Sequence, residues 1–81
     1  MQVRVLFFAR ARELAETDCL VLELPAGASL SSVRESLASR CPRLASFLGQ
    51  CLFAVNKDFA SDCKPLQPGD EIAVLPPVSG G

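Results

Sequence analysis

The sequence predicts an α+β domain: a mixed sheet of about four to five strands wrapped around one main helix, with a short extra helix. Three observations carry that expectation. Eighty-one residues suffice for one small core and no second one. Apolar residues make up 49% of the chain and charged residues 21%, the balance of a folded domain. The segments also run strand, short helix, strand, long helix, strand, hairpin, strand, so that the first and last strands can pair in parallel at the centre of one sheet.

Val3-Arg4-Val5-Leu6-Phe7-Phe8 is β-branched and aromatic, with Val3, Val5 and Phe7 on one face and Arg4, Leu6 and Phe8 on the other. Ala9 to Glu16 consists of good helix formers. Cys19 to Leu24 resumes strand character, with Leu20, Leu22 and Leu24 on one face, until Pro25 and Gly27 interrupt it. In the main helix Leu30, Val33, Leu37 and Cys41 fall on one stripe. Ser29 can cap it, Ser32 with Glu35 offers an alternative capping box, and Pro42 ends it. Leu44, Phe47 and Leu48 can cover the core from a short turn. Leu52 to Asn56 reads as a third strand, Lys57-Asp58 as a turn and Phe59-Ala60 as a short returning strand. Leu66 to Asp70 is a tight turn with Pro68 and Gly69 at its centre, and Glu71 to Leu75 forms the last strand. The domain is therefore expected over residues 1–75 and an extended C-terminal tail over residues 76–81.

That tail, Pro76-Pro77-Val78-Ser79-Gly80-Gly81, is the strongest functional signal. An α-carboxyl group has a reference pKa of roughly 3.5, so at neutral pH it is an anionic nucleophile. Glycine carries no Cβ and enters passages closed to other residues. Pro77 fixes its own φ and pushes Pro76 towards an extended conformation, giving a stiff base and a bare tip. Such a six-residue segment reaches about 20 Å at most, enough to enter another protein's active site. Read alone, the Gly-Gly end fits a frayed terminus equally well.

Elsewhere the chain offers little autonomous chemistry. It has no histidine, no Gly-rich phosphate loop and no nucleophile elbow. Lys57 and Lys64 read as solvated turn residues, and Asp70 and Glu71 as parts of a turn and a strand start. Net charge is −1 without a basic stripe, which argues against nucleic acid as a partner. No apolar run approaches the ~20 residues needed to span a bilayer, and no secretory signal opens the sequence, so no membrane partner and a cytoplasmic location are expected. Cys19, Cys41, Cys51 and Cys63 form no C-x-x-C pair and are expected to be buried or incidental thiols, with no metal bound. Apolar residues on both faces of the predicted sheet, Leu6, Phe8 and Leu75 opposite Val5, Phe7 and Val74, suggest a partner surface near the root of the tail.

Three blocks carry a resemblance to a known family: Val5-Leu6-Phe7-Phe8-Ala9-Arg10-Ala11-Arg12-Glu13-Leu14, Ala54-Val55-Asn56, and Leu66 to Gly81 with its Gly-Asp-Glu turn and Pro-Pro-Val-Ser-Gly-Gly finish. The chain resembles the small subunits of molybdopterin synthase, sulfur carriers of the ubiquitin-like β-grasp family. The resemblance implies that an adenylating enzyme of the ubiquitin-activating type joins the Gly81 carboxylate to AMP. A sulfur donor protein then makes it a thiocarboxylate, and the tail delivers sulfur to cyclic pyranopterin monophosphate inside the large synthase subunit, forming the molybdopterin dithiolene. It implies a heterotetramer with that large subunit, catalytic roles for Gly81 and Gly80, and partner contacts from Phe7, Phe8, Leu75, Pro76, Pro77, Val78 and Ser79. By the same resemblance this chain binds no cofactor, and ATP is used by the activating partner. Competing readings are a ubiquitin-like modifier linked to lysines through Gly81, a sulfur carrier for thiazole or tRNA thiolation, and an interaction domain with an inert tail.

Overall fold

The computed structural model describes residues 1–77. Its elements are β1 (Gln2–Phe7), α1 (Ala9–Ala15), β2 (Cys19–Glu23), α2 (Leu30–Arg40), α3 (Pro42–Ala45), a 3₁₀ turn (Leu48–Gln50), β3 (Leu52–Val55), β4 (Asp58–Phe59) and β5 (Glu71–Leu75). One five-stranded sheet has the order β2-β1-β5-β3-β4. β1 and β5 are parallel, and every other pairing is antiparallel. This is the β-grasp arrangement, with β5 at the centre of the sheet as the order of segments predicts.

Alternation determines which residues reach the core. Val3, Val5 and Phe7 of β1, Ile72 and Val74 of β5, and Phe53 and Val55 of β3 are buried together. Against them packs the stripe Leu30, Val33 and Leu37 of α2, each fully buried. Leu44 and Leu48, from α3 and the 3₁₀ turn, close one end of this layer. Pro42 stops α2 at Arg40 and becomes the first residue of α3, where its missing N–H leaves no helical bond unmade. No described helix is long and apolar enough to cross a membrane.

The start of α2 departs from expectation. Ser29 holds the N-cap position, but its hydroxyl bonds Ser31 Oγ at 2.8 Å and caps no backbone group. The Ser32–Glu35 capping box is displaced because the helix already begins at Leu30. The segment before β5 does the capping instead: Leu30 N–H donates to the Lys64 carbonyl at 2.9 Å and Ser31 N–H to that of Asp62 at 3.0 Å. Arg34 fastens the same segment. Its Nε and Nη2 donate to Asp62 Oδ1 at 3.2 and 3.1 Å, its Nη1 donates to the Leu48 carbonyl at 2.9 Å, and its guanidinium lies 4.4 Å from the Phe53 ring centre.

Two turns set the register of β5. Asn56 and Lys57 both have left-handed φ, 49° and 76°, so the β3–β4 turn is of the primed type and centred one residue earlier than predicted. β4 accordingly spans Asp58–Phe59. Asn56 is held from both ends. Its backbone N–H donates to the Glu71 carbonyl at 2.8 Å, its Oδ1 accepts from Glu71 N–H at 3.0 Å, and its Nδ2 donates to Asp70 Oδ1 at 2.9 Å. The Pro68-Gly69 turn is as predicted, with Gly69 at φ 84° and Asp70 N–H donating to the Gln67 carbonyl at 3.1 Å.

Cys51 packs in the core, its thiol donating to the Phe47 carbonyl at 3.5 Å. Burial pushes its pKa up, and the nearby Arg34 charge opposes this only in part. A thiol whose folded pKa exceeds its unfolded value of roughly 8.5 stabilises the fold below that value and loses this contribution as pH rises through the folded pKa. Denaturant titrations are therefore expected to show stability falling above about pH 8.5, with a shallower fall in Cys51→Ala. Identical slopes for the two proteins would show that folding does not raise the pKa of this thiol.

Candidate functional site

The site is built around the C-terminal end of β5. That strand is hydrogen-bonded to β1 on one side and β3 on the other, and it leads directly into Pro76 and Pro77. The tail is thus rooted in the least frayable strand of the sheet. The helices cover one face of the sheet, and the other carries an apolar row. Cys19 of β2 pairs with Leu6 of β1, Leu6 with Ala73 of β5, Ala73 with Ala54 of β3, and Ala54 with Phe59 of β4. Next to this row, on the side of the tail, Leu52 pairs with Leu75. Phe8, Leu52 and Phe59 are 44%, 58% and 73% exposed. Large apolar side chains gathered on one open face mark a surface made to be covered.

Polar groups border this face. Arg4 and Glu71 form an ion pair at 3.7 Å where β5 begins, remote from the tail. Leu6, Phe7, Phe8, Arg12, Asp18 and Cys19 border a hollow of about 280 Å³ where β1 ends and β2 begins. A larger hollow of about 490 Å³, bordered by residues such as Asn56, Phe59, Lys64 and Asp70, lies at the start of β5. It sits next to the Asn56–Asp70 bond, at the end of β5 opposite to Pro76 and Pro77.

The predicted site residues divide into three groups. Phe8 is exposed, Leu75 and Pro76 are half-buried and Pro77 is exposed, all at the tail's root. Phe7 requires a correction. It is 2% exposed, its N–H donates to the Asp18 carbonyl at 3.0 Å, and its ring faces the helices, because β1 points Val3, Val5 and Phe7 inward together. It is a core residue with almost no side-chain surface to offer a partner. Val78, Ser79, Gly80 and Gly81 lie outside the described residues. Leu52 and Phe59 were not singled out from the sequence. The alternation of β3 contained the signal for Leu52, since Phe53 and Val55 point inward and Leu52 must point out.

The remaining reactive side chains are spread through the fold. Cys51 is buried, Cys19 and Cys41 are half-buried and Cys63 is exposed. Asp70 is engaged in the turn, accepting from Asn56 Nδ2 and, at 2.8 Å, from Gln67 N–H. Lys57 and Lys64 are exposed, Lys57 in the β3–β4 turn and Lys64 beside the larger hollow, away from the tail's root.

Comparison with known proteins bears on this geometry. Residues 5–81 match the model of the ThiS family. The chain is 37% identical to the molybdopterin synthase sulfur carrier subunit of Chlamydomonas reinhardtii, covering 100% of both chains. It is 40% identical to the protein of that name from Escherichia coli K12, covering 98% of this chain and 99% of the relative. Among solved structures, SAMP1 from Haloferax volcanii superposes over 100% of both chains with a TM-score of 0.93; at 24% identity this similarity speaks for the fold alone. A chain in a complex of subunits 1 and 2 of the molybdopterin-converting factor from Helicobacter pylori is also similar, with a TM-score of 0.76 and 30% identity over 100% of both chains.

Proposed function

This chain belongs to the ThiS family, and from that premise we propose that it is the sulfur carrier subunit of a molybdopterin synthase. The Gly81 carboxylate attacks the α-phosphate of ATP on an adenylating enzyme, pyrophosphate leaves, and an acyl-adenylate forms. Sulfur from a donor displaces AMP to give a thiocarboxylate. Inside the large subunit the tail delivers that sulfur to cyclic pyranopterin monophosphate, and two deliveries make the dithiolene. Gly80 and Gly81 keep the acyl carbon open to each attacking group. Residues 1–75 act as a rigid base, and Pro76 and Pro77 carry the tail away from it.

The observation that carries this reading is the placement of the tail's root. A central, doubly paired strand ends beside the exposed apolar residues Phe8 and Leu52. A partner that covers this face receives the tail at a defined point. Similarity to sulfur carrier subunits over the full length, through residue 81, supports the same conclusion. We assign the open face to docking of the large subunit and the adenylating enzyme in turn, since both must take up the same tail. The Helicobacter pylori neighbour, solved in a complex of subunits 1 and 2, supports the large-subunit partner.

Intact mass tests the assignment. After incubation with ATP, the adenylating enzyme and sulfide, the terminal peptide is expected to exchange one oxygen for sulfur. An unchanged mass would sink the carrier reading, and adducts joining Gly81 to lysines of other proteins would point to a modifier instead.

A further inference from the structure

Among the described residues four non-glycine residues have positive φ: Ala9 at 49°, Glu16 at 61°, Asn56 at 49° and Lys57 at 76°. Three are accounted for by position. Glu16 closes α1 as its left-handed cap, its N–H donating to the Arg12 carbonyl at 2.9 Å. Asn56 and Lys57 are the central pair of a primed hairpin turn, which demands that conformation. Ala9 has no such excuse. It stands at the beginning of a helix, directly after the extended Phe8 (φ −125°, ψ 150°), and has no polar side chain to offset the crowding of its Cβ.

Residues in such conformations persist where their surroundings over-determine them. Phe7 on one side is pinned in the core by its ring and by its bond to Asp18. On the other side Ala11 is fully buried, and its N–H donates to the Phe8 carbonyl at 3.0 Å, an acceptor shared with Arg12 N–H at 3.3 Å. Between two core anchors only four positions apart, the chain must change from strand to helix. The left-handed step at Ala9 achieves this and leaves Phe8 outside, one residue beyond the Phe7–Val74 pair.

We propose that Ala9 is a positioning residue, whose left-handed backbone holds Phe8 ready on the docking face at the cost of strain in the fold. The inference rests on the docking role assigned above to the open face. It requires stability and docking to respond in opposite directions when position 9 is changed. Glycine there removes the Cβ crowding but widens the backbone freedom available to Phe8. That freedom must then be given up on binding, which weakens the complex.

The test uses the full chain with Ala9→Gly, with Phe8→Ala, and with D-alanine at position 9, introduced by chemical ligation at Cys19. Each is measured for unfolding in denaturant and for affinity to the large subunit. Ala9→Gly is expected to raise the folding equilibrium constant about fivefold and to weaken affinity about threefold or more. The D-alanine protein keeps a side chain while favouring positive φ, so it should gain stability with affinity undiminished. Phe8→Ala should lose affinity without gaining stability. Unchanged or tighter binding by Ala9→Gly, with Phe8→Ala weakened, would overturn the role of Ala9 alone. Absence of a stability gain in Ala9→Gly would overturn the strain, and weakened binding by the D-alanine protein would overturn positioning. Unchanged affinity in Phe8→Ala would overturn the docking face and this proposal with it.

Discussion

Replacing Gly81 with valine is expected to stop sulfur delivery and to leave the domain as stable as the parent chain. In the proposed reaction the reacting carbon is the carbonyl of residue 81, and a β-branched side chain beside it would crowd the approach of both the sulfur donor and the pterin. Displacing a reacting group by about 1 Å can cost roughly 100-fold in rate, so a loss of at least that order is expected in a single-turnover assay with the large subunit. Thermal unfolding should not change, because the last strand ends at Leu75, six positions earlier. Appending a bulky residue after Gly81 should have the same outcome, since it removes the free carboxylate itself. Undiminished sulfuration by the extended protein would show that the working group lies elsewhere in the chain, and undiminished sulfuration by Gly81→Val would show that the end tolerates a side chain.

The second large effect separates two neighbours. Phe7→Ala is expected to lose about 3–5 kcal/mol of stability, because it empties a fully packed site between the sheet and the helices. Against a total of about 5–15 kcal/mol for a domain, that loss leaves a marginal or unfolded protein. Phe8→Asp should fold normally, since surface substitutions usually stay within about 0.5 kcal/mol. Its effect falls on docking, where a carboxylate would be buried against an apolar partner face. A cost of about 3 kcal/mol, or roughly 100-fold in affinity, is a conservative figure for an unpaired buried charge. Circular dichroism melts and calorimetric titration with the large subunit distinguish the two outcomes. Full affinity in Phe8→Asp, or full stability in Phe7→Ala, would contradict the assignment of inner and outer faces.

Those two residues also show how far the sequence could be read. Its alternation placed Phe7 and Phe8 on opposite faces, yet both looked equally suited to a partner surface. Period-two patterning says that two residues differ in orientation and leaves open which one is covered. The answer came from α2, whose stripe of Leu30, Val33 and Leu37 packs on the Phe7 side. Leu52 and Phe59 went unnoticed for a related reason. They belong to β3 and β4, and only the strand order aligns them with Leu6, Ala73 and Leu75. Ser29 takes the N-cap position of α2, as its local preference predicts, whereas the backbone carbonyls of Asp62 and Lys64, more than thirty positions away in sequence, accept the bonds from the first helical N–H groups.

What the sequence by itself determined is local. Strand and helix periods, the Pro68-Gly69 turn, the stop at Pro42 and the Gly-Gly finish depend on neighbouring residues and on conformational limits each residue carries with it. The parallel pairing of β1 with β5, and with it the rooting of the tail at mid-sheet, was also within reach, since the strand order of a small single layer leaves few alternatives. Tertiary structure alone decided which face of the sheet is open, that Phe8 stands outside while Phe7 is enclosed, and that Ala9 bears a left-handed turn between them. These depend on anchors far apart along the chain. Burial is settled by whichever distant segment arrives to cover a surface, and no local period encodes that arrival.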